Sequence, residues 1–105
     1  MSTIKTYQGE VLTAATPKTI VTGPANGAQV VLTITNGTGS AAVVHASVSG
    51  TTDTISAAGS KIADNTSLAD GKTLTVGPIS VEAGFFLVVE SDTSNVTSSA
   101  DGMEN

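Results

Sequence analysis

The chain reads as all-β: a single antiparallel β-sandwich, jelly-roll-like or immunoglobulin-like, of seven or eight strands. Three observations predict it. Apolar and polar residues alternate over strand-sized runs, and Gly, Pro and Asn turns separate those runs roughly every ten residues. No segment keeps a helical period over successive turns. At 105 residues the chain makes one domain, able to bury roughly 65% of its unfolded surface without disulfide or metal staples.

Residues 1 to 15 (MSTIKTYQGEVLTAA) alternate loosely through Ile4, Tyr7, Val11 and Leu12, with Gly9 interrupting any continuous strand. They are expected to form an extended arm ending in a short edge strand near Glu10–Thr13, with the sandwich proper over 16–105. The arm is expected either to cover the sandwich edge or to reach a neighbouring subunit. Pro17 precedes a brief strand, Lys18–Thr22, and Gly23-Pro24 with Asn26-Gly27 makes a turn. Ala28–Asn36 is the cleanest strand: Val30, Leu32 and Ile34 point one way, Val31, Thr33 and Thr35 the other. The Asn36–Ser40 turn, with Asn and Gly suited to positive φ, leads into Ala41–Ser49. There Ala42, Val44, Ala46 and Val48 are expected inward, Val43, His45 and Ser47 outward, and the two strands are expected to pair.

Residues 50–60 read as a loop, and Lys61–Leu68 as a strand with Ile62, Asp64, Thr66 and Leu68 on one face. After the Asp70-Gly71 turn, Lys72–Asp92 reads as a β-hairpin. Its first run carries Leu74, Val76, Ile79 and Val81 around Gly77-Pro78. Its second is apolar on both faces, Phe85, Leu87 and Val89 against Phe86 and Val88. Val96–Ala100 is expected to close the sheet and Asp101–Asn105 to be a tail. Leu32, Ile34, Leu74 and Leu87 are expected in the core.

Composition narrows the function. Only 12% of residues are charged, with a net charge of −5, so the surface must be built largely from Ser, Thr, Asn and Gly. Four lysines without an arginine cannot form the basic stripe that nucleic acid requires. The absence of cysteine excludes disulfides and thiolate metal sites. MSTIKTYQGE has no apolar core of a signal peptide, and the longest apolar run, Phe85–Val89, is far short of a membrane span. No membrane partner is therefore expected.

No motif carries catalytic chemistry. His45 is the sole histidine, and neither Val43 nor Ser47 beside it on its strand face could share a metal. The nucleophile motif G-x-S-x-G is missing despite abundant serine. Asp64, Asp70, Glu82, Glu90, Asp92 and Asp101 are scattered over turns and strand ends without EF-hand spacing, leaving a loop calcium between Asp64 and Asp70 as the one cation arrangement to consider. Three aromatic residues weigh against a glycosidase cleft and against an ordinary sugar-binding module, which stacks rings on aromatic faces. The matches to the glycosylation sequon at Asn36, Asn65 and Asn95 are of the kind that arises by chance in a chain rich in Ser and Thr. The expectation is a protein that is not an enzyme and has no cofactor, metal or catalytic site. The residues expected at a protein interface are Phe86 and Val88, the apolar set left over if Phe85, Leu87 and Val89 fill the core, together with Ile4 and Tyr7 on the arm.

The order of the motifs resembles a family of small β-sandwich virion proteins of tailed bacteriophages. The resemblance covers residues 17 to 104. It runs through Thr19-Ile20-Val21 before Gly23-Pro24, Val30–Asn36, and Lys61–Leu68 with Asp70-Gly71-Lys72-Thr73-Leu74. It continues through Gly77-Pro78-Ile79 and Val81-Glu82-Ala83-Gly84 to the closing Asp101-Gly102-Met103-Glu104. Phe85 stands where the family usually has Asp. The resemblance implies a structural component of the particle: a capsid decoration (cement) protein, made in the host cytoplasm, that binds the major capsid protein lattice or other virion proteins. The leftover apolar set Phe86 and Val88 predicts contact between copies of the chain and so a homo-oligomer, a trimer being one form. A tail or head–tail accessory protein is the alternative within the family, and a carbohydrate-binding or adhesin module the alternative outside it.

Overall fold

A computed structural model describes the backbone of residues 3–55 and 61–104, and all their side chains except those of 3–8, Lys61 and Asp64. The chain forms eight strands: β1 (Thr3–Val11), β2 (Lys18–Thr22), β3 (Ala28–Thr35), β4 (Ala42–Ser49), β5 (Lys61–Leu68), β6 (Thr73–Val81), β7 (Phe86–Ser91) and β8 (Thr97–Glu104). They make two four-stranded sheets, β1-β8-β3-β6 and β2-β7-β4-β5, with every pairing antiparallel. Of consecutive strands only β4 and β5 pair; every other connection crosses between sheets. This is the winding of an eight-stranded jelly roll, which decides between the two expected topologies.

Both expected hairpins are corrected. β3 and β4 lie in different sheets, as do β6 and β7. The turn residues between them do reverse the chain, but from one layer to the other. Two further boundaries change. β1 runs far beyond the short edge strand expected at Glu10–Thr13 and pairs along its length with β8, from Thr3↔Glu104 to Val11↔Thr97. The expected tail is the second half of β8, which pairs with β1 and β3. That half, Asp101–Glu104, has no apolar alternation to mark it as a strand, with Gly102 where an inward aliphatic would stand. The small size is imposed at Gly102, where a Cβ would collide with the Gln29 and Val30 backbone of β3.

The core lies between the sheets and includes Val30, Leu32, Ile34, Ile79 and Val81 from the first and Val21, Val44, Ala46, Leu87 and Val89 from the second. Leu32, Ile34 and Leu87 are fully buried as expected, whereas Leu74 only packs partly against this cluster. Phe85 also departs from expectation: it precedes β7, in a turn closed by its N–H on the Glu82 carbonyl, and is 46% exposed.

Asn36 joins three segments at one end of the sandwich. Its Nδ2 donates to the carbonyls of Ser40 (2.7 Å) and Leu68 (2.8 Å). Its Oδ1 accepts from Thr38 N–H and Oγ1, and its backbone pairs with Lys72 O and Gly71 N. Every polar group of this fully buried residue is satisfied. In place of the expected positive φ, Asn36 ties the β3–β4 turn to the end of β5 and the β5–β6 turn.

Candidate interaction surface

The two sheets present different outward faces. On the first sheet the register puts Gln29, Val31, Thr33 and Thr35 of β3 on one line. Ser80, Thr75 and Thr73 of β6 lie on one side, and Met103, Asp101, Ser99 and Thr97 of β8 on the other. The hydroxyl rows Ser99–Thr33–Thr75 and Thr97–Thr35–Thr73 cross three strands, and the Thr35 and Thr73 hydroxyls stand 3.3 Å apart. Val31 is 38% and Met103 44% exposed. Asp101 is the only charged side chain of this three-strand face. β-branched residues dominate it because a pleated, half-exposed surface suits them.

On the second sheet the outward positions of β4 and β7 pair as His45↔Glu90, Ser47↔Val88 and Ser49↔Phe86. Here the expectation of an open apolar patch is corrected. Val88 has no exposed area and lies apart from the main core cluster, while Phe86 is half-buried. Ser47 is buried with Val88, and Ser49 is 5% exposed. The reason lies in the segment after β4. Thr19 N–H donates to Asp53 Oδ1 (2.8 Å), and Asp53 N–H donates to Thr19 Oγ1 (2.9 Å). Ser49 faces Phe86 across one side of β7, and Thr19 faces Val88 across the other, so Thr19 lies two strands over and two residues along. That is about 10 Å across and about 7 Å along, about 12 Å in all, within the roughly 14 Å that four residues can reach. The chain from Ser49 to Asp53 therefore leads from β4 past β7 to the residue of β2 that stands opposite Val88, on the side where Val88 and Ser47 are buried.

Ile4 and Tyr7 lie in β1, in register with Met103 and Ala100; their side chains are outside the described residues. The expectation of an extended arm is corrected, since this stretch is a strand paired with β8.

The remaining polar groups hold loops. Hydrogen bonds from Thr19 hold Asp53 below the ordinary carboxylate range, and hydrogen bonds from Val43 N–H and then the Thr93 hydroxyl do the same for Asp92. Asp70 accepts from Gly39 N–H (2.9 Å), while the Asp64 side chain is outside the described residues. His45 Nδ1 accepts from Asn65 N–H (3.2 Å), holding a residue of β5 whose φ is 47°. Among the described residues no three His, Cys, Asp or Glu side chains gather as a metal site. A cleft of about 300 Å³ between the β2–β3 turn and the end of β6 is lined by Asn26, Gly27, Gln29, Ser80, Glu82 and Ala83, among others. Glu82 is the only titratable group in its lining, so no acid–base pair faces a substrate there. No helix is long and apolar enough to cross a membrane among the described residues.

Comparison with protein-family models, with curated proteins and with solved structures finds no match to this chain.

Proposed function

We propose that this chain is a non-catalytic structural protein of a tailed-phage virion, of the capsid-decoration type, that binds a repetitive protein lattice. The observation that carries the reading is the first sheet's broad outward face of hydroxyls and methyls, with Asp101 its only charge among the described side chains. Contact there dehydrates almost no ionised group, which is costly wherever it occurs, and charge is depleted in the cores of protein interfaces. The motif order from Thr19 to Glu104 supports the same reading. So does the jelly-roll winding, which viral capsid domains use; lectins use it too, so the winding alone does not decide. The described lining of the Glu82 cleft contains no aromatic ring on which a sugar could stack, which favours a protein partner over a carbohydrate.

The test is the copy number of the chain in purified particles. Hundreds of copies support capsid decoration, and six or twelve move the chain to the tail or portal. None overturns the virion reading. Val31→Lys, placing a charge in the middle of the open face, is expected to release the chain from particles without unfolding it.

A further inference from the structure

The sandwich has four sheet edges, β1 and β6 on the first sheet and β2 and β5 on the second, and they are not equally closed. β6 carries Pro78, which offers no N–H, in the middle of its run. β2 is five residues long, and Asp53 takes the Thr19 N–H. β5 is interrupted by two register shifts and by Asn65, whose backbone is left-handed. β1 has nine residues and no proline, and its one irregularity is at Gln8–Gly9, which together oppose Ser99. Among the described residues nothing pairs with its outer edge.

The geometry points to β1 as a self-pairing edge: two copies of the chain join β1 to β1, antiparallel, about a two-fold axis through Tyr7. The argument is one of register. Counting the Gln8–Gly9 irregularity as a single position, this axis sets Lys5 of one copy opposite Glu10 of the other, and Ile4 opposite Val11, each twice by symmetry. A two-fold axis through any other position loses both matches. Opposite charges directly across a strand pair stabilise it and like charges oppose it. An isologous contact of this kind closes on itself instead of growing into a fibre. Val11 is 63% exposed in the single chain and gains a partner. The pair joins the two first sheets into one of eight strands and sets their outward faces, each with Asp101 as its one charge among the described side chains, side by side, doubling the surface offered to a lattice.

Sedimentation equilibrium of the full chain over a concentration series tests the pairing. A monomer–dimer equilibrium is expected. Lys5→Glu and Glu10→Lys should each weaken it roughly tenfold, because each places two like-charge pairs across the axis. The double variant Lys5→Glu/Glu10→Lys should restore it to within about twofold. Val11→Lys, at an exposed position, should give a monomer with unchanged circular dichroism. A chain that stays monomeric throughout, or a dimer indifferent to the three single substitutions, overturns the pairing. Either result leaves the particle-binding reading standing, since copy number tests that separately.

Discussion

The two sheets of this sandwich resemble one another on their inward sides and differ on their outward ones. Inward, both supply Val, Leu and Ile to a common core. Outward, the first sheet leaves Val31 and Met103 in solvent among threonines, whereas the second buries Val88 and Ser47 completely. The difference comes from a connection. The chain leaving β4 crosses the second sheet and is fastened to β2 by Asp53 and Thr19; no described segment crosses the first. A β-sandwich has two candidate docking faces, and here the chain has used one of them itself.

Substitutions can break or sharpen that comparison. The reference is the shared core: Leu87→Ala and Leu32→Ala should each cost about 2–5 kcal/mol, read as a lower denaturant midpoint at unchanged m-value. An unchanged midpoint in both would contradict the assignment of the inward faces. The outward valines should then separate. Val88→Ser should cost about 2–3 kcal/mol, for lost apolar burial and a hydroxyl placed where water does not reach. Val31→Ser should change stability by no more than about 0.5 kcal/mol. Equal costs at the two sites would show that the faces are equivalent and remove the distinction.

Acid should act through the loops. In Asp53 and Asp92 hydrogen bonds favour the ionised form, so the folded pKa lies below the unfolded value of about 3.9. Their contribution is therefore complete above that value and is lost as pH falls through the lower folded pKa. Thermal midpoints measured from pH 6 to 2 should fall below about pH 4. Asp53→Asn should lower the neutral-pH midpoint and flatten its acid dependence. An identical acid slope in the variant would show that Asp53 does not fasten the crossing segment.

Much of this fold could be read from the residues. Alternation placed Leu32, Ile34, Leu87 and Val89 inward, and the turn at Asn36 to Ser40 is where the chain reverses. Which sheet a strand joins could not be read, because Gly-rich turns reverse the chain within a layer or between layers with the same residues. That is how β3–β4 and β6–β7 came to read as hairpins. The second half of β8 reads as a tail because its inward position is Gly102, whose small size answers the close approach of β3 and not an apolar pattern. The closed face was hidden for a different reason. Val88 has the same local signal as an exposed interface valine, and what covers it follows from a hydrogen-bonded contact between Asp53 and Thr19, 34 residues apart in sequence. The open face was in view as Val31, Thr33 and Thr35, but its lack of charge becomes visible only when β8 and β6 are set beside β3.

The difference between the faces is tested most directly by thiol reactivity, for which the chain is suited because it has no cysteine of its own. Single variants Val31→Cys and Val88→Cys, on matched outward positions of the two sheets, would be labelled with a soluble thiol reagent under native conditions. Val31→Cys should react at close to the rate of the unfolded chain, and Val88→Cys only as the protein opens. Val88→Cys reacting as fast as Val31→Cys, in a protein still folded by circular dichroism, would contradict a closed second face.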